Sequence, residues 1–282
     1  MPFAALPVIQ AGSPGPPLIE EYDLVTVPSA STVALLRADV RSARPSKTLA
    51  VFADPVYSAR DTRVMRSRDD GWTASGTRSN GVESEEPAEL VRLIGTRREA
   101  TAIASLVPAD ARNVAVDFAA NRTAATSPAL GDYRLLHFAT HAIIDDVHPE
   151  LSRIALSLVD KQGRAQDGFL RLPDIYDLDL SADLVVLSAC QTALGREIRG
   201  EGMIGLTRGF LNAGARRVLA SLWQVDDRAT AELMRLFYGA MLGSAHQSPI
   251  AALRTAQNAM RAQSRWASPY YWAGFTLYGE WE

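Results

Sequence analysis

Apolar positions are unevenly spread along this chain. Up to residue 58 they come in short pieces set apart by proline and glycine. Residues 22–27 predict a strand, and residues 31–43 a helix capped by Ser29 or Ser31. TLAVFA (48–53) predicts a buried strand stopped by Asp54 and Pro55. From 59 to 89 the pattern turns polar and aperiodic, which predicts a mobile loop, long for a compact domain. Periodicity returns with a helix over 96–106 and a short strand over 113–117.

From Tyr133 onward the signal strengthens. YRLLHFA (133–139), LVVLSA (184–189) and RVLASLW (217–223) are apolar runs of strand length. Residues 148–170, between the first two, predict a hairpin-like excursion around Gly163. Helices follow at 203–213, where Gly214 stops the turn, at 228–242 and at 249–263; WAGFTLYG (272–279) closes as a last strand. Strands alternating with helices predict an α/β fold with a mostly parallel sheet covered on both faces. Loops at the carboxyl ends of such strands emerge along one edge, where ligands gather.

Composition narrows the possible chemistry. A formal net charge of −3 in 282 residues gives no general attraction to nucleic acid or an anionic membrane, so neither is expected as a partner. One cysteine excludes an intrachain disulfide framework and any multi-cysteine zinc site, which fits a reducing cytoplasm. No apolar run reaches the roughly 18 to 20 residues of a membrane span, and the start lacks the basic region of a signal peptide.

That cysteine, Cys190, follows LVVLSA, and His141 follows YRLLHFA. If the two strands are neighbours, both side chains project from one rim as a Cys–His pair, the imidazole taking the thiol proton. Backbone N–H groups of Ala142 and Cys190 could then face a developing oxyanion. A lone cysteine after an apolar strand also reads as a buried small hydrophobe, and this alternative stays open. His137 and His141 spell H-x-x-x-H, but on a strand they lie roughly 13 Å apart, too far to share a metal ion. GEGMIG (200–205) matches G-x-G-x-x-G formally, but it does not directly follow a strand and Glu201 would repel a pyrophosphate. No metal or cofactor is expected. Asp226 and Asp227, past a third strand, either line a pocket for a cationic side chain or cap the next helix.

HFATHA (137–142), VVLSACQTALG (185–195), RGEGMIGLTRGFLNAGARRVLASLWQVDD (199–227) and PYYWAGFTLYGEW (269–281) resemble the CHAT domain, a family of the caspase–separase group of cysteine peptidases. PFAALP (2–7), VPSAST (27–32), ADPVY (53–57) and GTRREA (95–100) look like that family's N-terminal half. The 49 residues from His141 to Cys190 are near the roughly 50 that separate the pair in caspases.

The resemblance implies a caspase-like three-layer α/β/α sandwich with His141 and Cys190 in the dyad positions. It also implies an N-terminal half over 1–58 and 90–130, a catalytic half over 131–282, and residues 59–89 as the intervening loop. An Asp after the W-x-V motif, here Asp227 with Asp226 adjacent, would bind a basic P1 residue of a polypeptide substrate, Arg above Lys. Arg66, Arg68 and Arg78 in the polar loop would then be candidate self-cleavage sites, against the plainer reading of a solvated basic loop. Family members often carry Gly where this chain has Ala142. Their domains usually begin with a strand before PFAALP and often follow tetratricopeptide repeats, whereas Met1 stands inside that motif. Activity is expected to be gated either by a partner, such as a tetratricopeptide-repeat protein, or by loop ordering. The alternative is a non-catalytic scaffold or signalling module of the same fold.

Overall fold

Strand β6, Tyr133–Ala139, organises the molecule because its seven residues are long and apolar enough to be buried on both faces. The structure is a computed structural model that describes residues 2–10, 13–38, 45–65, 90–145, 147–188, 190–192 and 201–281. In chain order the elements before β6 are β1 (Pro7–Gln10), β2 (Ser13–Pro17), β3 (Val25–Thr26), α1 (Ala30–Ala38), β4 (Lys47–Ala53), α2 (Ile94–Ala104), β5 (Arg112–Val116) and α3 (Arg122–Ala125). After β6 come β7 (Ala142–Ile144), β8 (Arg153–Ala155), β9 (Phe169–Arg171), α4 (Leu172–Tyr176), β10 (Leu184–Leu187) and β11 (Cys190–Thr192). The chain continues through α5 (Glu201–Asn212), β12 (Arg217–Ser221), α6 (Asp227–Leu242), α7 (Pro249–Arg261) and β13 (Phe275–Gly279).

The central sheet has seven strands in the order β3-β13-β12-β10-β6-β4-β5. All its pairings are parallel except β12 with β13. The period-two alternation of strands sorts its side chains into two cores. Leu49, Val51, Leu135, Val186 and Leu219 face one core with Ile103 of α2, Phe237 of α6 and Leu253 of α7. Phe52, Leu136, Phe138, Val185 and Leu187 face the other with Ile175 of α4 and Phe210 of α5. Phe52 and Phe138 stack across β4 and β6 with ring centroids 5.0 Å apart. Each such ring contributes roughly 1.5–3 kcal/mol by leaving water. The fold is thus the expected α/β/α sandwich.

β6, β10 and the central sheet's parallel pairing follow the sequence expectation closely, and the excursion around Gly163 is a hairpin in which β8 and β9 pair antiparallel. Gly163 makes its turn at φ 79°, a left-handed backbone that glycine adopts without penalty. The expected strand at 22–27 narrows to two residues, and the helix expected to reach 43 is described only to Ala38. A second sheet, β11-β7-β8-β9, was not anticipated, since residues 142–144 and 190–192 are three-residue strands without a readable period. Of the polar stretch, residues 59–65 are anchored, with Met65 N–H donating to Lys161 O at 2.8 Å. Residues 66–89, with Arg66, Arg68 and Arg78, lie outside the described residues.

Candidate active site

β6 and β10 are parallel neighbours with Phe138 opposite Leu187, so both chains leave the sheet at the same edge. They meet again at once in the smaller sheet. β7 pairs parallel with β11, and the Cα partners are Ala142 and Cys190. The backbones of His141 and Cys190 are therefore brought together, one register position apart. His141 O accepts Ala155 N–H at 2.8 Å, so strand alternation turns the Ala142 N–H away from β8, towards the side of β11.

His141 is 2% exposed. Its Nε2 lies 2.6 Å from the carbonyl oxygen of Val91. A carbonyl only accepts, so Nε2 carries the proton, and in the neutral ring Nδ1 keeps its lone pair. Tyr57 packs on the imidazole with ring centroids 5.3 Å apart, and its hydroxyl is tied to Thr140 Oγ1 at 2.8 Å. Burial holds the His141 pKa below the usual histidine value, opposed by the Val91 carbonyl and the charge of Asp227, both of which favour the imidazolium.

The two aspartates cap different helices. Asp226 is the N-cap of α6, its Oδ1 accepting the N–H groups of Arg228 and Ala229 at 3.0 Å each. Asp227 Oδ2 accepts the Gly95 N–H at 2.7 Å and so caps α2 from another helix, where Leu93 offers no side-chain cap. A Cβ on Gly95 would lie 2.4 Å from that oxygen, so the close approach requires glycine. Burial raises the Asp227 carboxyl pKa, and the nearby charges of Glu99 and Asp226 push the same way; Gly95 N–H and His141 oppose them.

A dense charge cluster adjoins this site and was missed in the sequence, where Asp54 reads only as the residue that stops a strand. Its carboxylate is fully buried at the end of β4, on a backbone of φ 48°. Arg92 grips it with two bonds, Nε to Oδ1 at 2.7 Å and Nη2 to Oδ2 at 2.6 Å. Arg97 Nε donates to Oδ2 at 2.7 Å, and Arg63 Nη1 lies 3.0 Å from Oδ1. Arg63 and Arg97 both reach on to Asp117. The arginine-rich GTRREA segment was the available signal, but nothing in a sequence says which carboxylate gathers the guanidinium groups. Val91 carries no signal at all, because its carbonyl makes the contact.

His137 stands apart from His141. It lies in the core, with Nδ1 3.1 Å from the Tyr238 hydroxyl and Nε2 2.9 Å from Glu99 Oε1, off the line of a hydrogen bond. No group of three or more His, Cys, Asp or Glu among the described residues is arranged to hold a metal ion. No helix among the described residues is long and apolar enough to cross a membrane.

The sheet order and layered helices define a class, the caspase-like α/β fold. A solved structure of the Saccharomyces cerevisiae separase–securin complex matches with a TM-score of 0.51 at 12% identity, over 93% of this chain and 14% of that one. The family model of the CHAT domain matches residues 1–280, and the chain belongs to the CHAT domain family. Tetratricopeptide repeat protein 28 of Mus musculus is 41% identical over 110 residues, 39% of this chain. Its Homo sapiens counterpart is 38% identical over 114 residues, 40% of this chain. The matched region spans 4% of the length of each of these two relatives.

Proposed function

We propose that this chain is a cysteine endopeptidase in which His141 and Cys190 form the catalytic dyad. The observation that carries this reading is the parallel pairing of β7 with β11, which sets the Cys190 backbone against Ala142, the residue after His141. His141 Nδ1, left free by the Val91 carbonyl on Nε2, takes the Cys190 thiol proton. The thiolate attacks the scissile carbonyl carbon, and the Cys190 N–H receives the oxyanion, the Ala142 N–H being turned towards β11. Collapse of the intermediate breaks the C–N bond, the imidazolium returns its proton to the leaving amine, and a thioester remains. Water, deprotonated by His141, then hydrolyses the thioester and restores the thiol.

Asp227 is the proposed partner of an Arg at P1. It is half-buried and within electrostatic reach of His141, and a guanidinium can pair with a carboxylate through two bonds. Asp226, occupied in capping α6, supports this role only by adding negative charge. In the proposed organisation, 131–282 form the catalytic half and 1–58 with 90–130 the N-terminal half, joined by the polar stretch. The tetratricopeptide-repeat relatives support an activating protein partner of that kind, and the single cysteine supports work in a reducing cytoplasm.

A second reading, a non-catalytic scaffold of the same fold, is favoured by one observation: the Asp227 carboxylate already serves the Gly95 N–H. Fluorogenic peptides bearing Arg, Lys, Asp or Leu at P1 separate the two, with and without a tetratricopeptide-repeat partner. Cleavage after Arg that vanishes in both Cys190→Ala and His141→Ala supports the peptidase. Absence of cleavage under all these conditions supports the scaffold.

A further inference from the structure

Arg92 lies one residue beyond the carbonyl that holds His141. The segment from Leu90 to Gly95 touches the site at three points. Val91 O accepts from His141 Nε2, the Arg92 guanidinium pairs with the Asp54 carboxylate through two bonds, and Gly95 N–H donates to Asp227. Val91 is 67% exposed and its side chain gives little apolar hold, so its carbonyl is kept in position by its neighbours. On the other side of Arg92, Leu93 is half-buried with its carbonyl accepting from Thr96 Oγ1 at 2.7 Å, and Ile94 is 63% exposed.

The three arginines on Asp54 do different work. Arg63 and Arg97 also bind Asp117, and Arg63 Nη1 donates to the Asp54 carbonyl at 2.8 Å, so these two fix Asp54 itself. Thr96 Oγ1 accepts the Asp54 N–H at 3.2 Å and ties the same point to α2. Arg92 makes its ionic hydrogen bonds to Asp54 alone among the described residues. It therefore transmits the fixed position of Asp54 to the backbone at Val91.

We propose that Arg92, clasped by Asp54, is a positioning residue that keeps the Val91 carbonyl on His141 Nε2 and thereby presents Nδ1 to the Cys190 thiol. This rests on the dyad reading above. Loss of the clasp frees the Val91 carbonyl, removes a contact that favours the imidazolium, and lets the ring turn or change tautomer. The thiolate–imidazolium pair is then less favoured and the thiol loses its proton at higher pH. The groups facing the imidazole are Tyr57 from beyond β4, the Val91 carbonyl and Asp227 from α6, and Asp227 is the one carboxyl among them.

Cys190 is the chain's one cysteine, so its alkylation by iodoacetamide reports the thiolate directly and needs no substrate. The rate is measured from pH 5 to 9 on the full chain, for wild type, His141→Ala, Arg92→Ala and Arg92→Lys, with circular dichroism to confirm folding. Wild type is expected to alkylate well below the pH of a free thiol, and His141→Ala to lose that low-pH reactivity. Arg92→Ala is expected to slow the rate at pH 6.5 by about tenfold, the scale of a hydrogen bond to a charged group. Arg92→Lys, which keeps the charge without the two-bond grip, is expected to recover part of it. An unchanged or faster rate in Arg92→Ala, while His141→Ala is slow, overturns the clasp and leaves the dyad standing. A wild-type rate indifferent to His141→Ala overturns the dyad, and the clasp with it.

Discussion

Cys190 and Ala142 are Cα partners in the short parallel pairing of β11 with β7. Parallel neighbours in one sheet thus become parallel neighbours in a second, and residues two or three past the strands of the first are held close together. The proposed catalytic pair is fixed by backbone hydrogen bonding rather than carried on free loops, the kind of support a precise proton transfer requires.

The buried His141 predicts an activity profile shifted to acid. Because burial lowers its pKa, the acid limb of kcat/KM should fall below the usual histidine value of about 6.5, the pair titrating as a coupled unit. The stability contribution has its own sign. The unfolded chain takes up the His141 proton first, so stability falls as pH drops from about 6.5 towards the lower folded pKa. The raised pKa of Asp227 works the other way, adding stability as pH falls through its folded value towards that of the unfolded chain. Comparing pH titrations of thermal unfolding for wild type and His141→Phe should isolate the first effect. Identical acid profiles contradict it.

Neighbouring aspartates should give unlike variants. Asp226→Ala removes the α6 cap and is expected to cost about 1 kcal/mol in urea unfolding while leaving P1 preference intact. Asp227→Ala is expected to lose preference for Arg over Leu at P1. Arg selectivity that survives in both variants removes the proposed pocket.

Gly95→Ala tests the contact between the two helices. The added methyl would fall 2.4 Å from Asp227 Oδ2, so either α2 or the carboxylate must shift. A loss of roughly 1–3 kcal/mol is expected, since overpacking forces strain on its surroundings. It should be largely relieved by adding Asp227→Ala, because the clash is with that side chain. An additive double variant would contradict the contact.

The pair Glu99 and His137 couples α2 to the sheet. Both side chains are fully buried and 2.9 Å apart. Glu99→Ala empties a fully buried space between α2 and the sheet and is expected to destabilise by roughly 2 kcal/mol through the cavity it leaves. A urea midpoint unchanged from wild type contradicts this.

Much of this architecture is written in local pattern. YRLLHFA and LVVLSA declare themselves because a strand buried on both faces is apolar at nearly every position, and Tyr133–Ala139 starts and stops where its mostly apolar run does. His141 and Cys190 were legible because each comes within two residues of the end of such a run. The smaller sheet was not, since three residues cannot show a period, and its strands form only because the larger sheet has already brought them together. Val91 and Asp54 escaped for a different reason. Their roles depend on contacts across 50 and 38 residues of chain, one made by a carbonyl that every residue possesses. The capping role of Asp226 was anticipated as one of two options, and helix α6 begins at the next residue.

The central claim is that Cys190 is a nucleophile activated by His141. A peptidyl-arginine acyloxymethyl ketone, which labels a thiolate that can attack its carbonyl-bearing end, tests it without requiring turnover. Peptide mapping by mass spectrometry after labelling should find one adduct, on Cys190, formed much more slowly in His141→Ala and in Asp227→Ala. Equal labelling of wild type and His141→Ala, or none of Cys190 in the folded protein, would contradict the account.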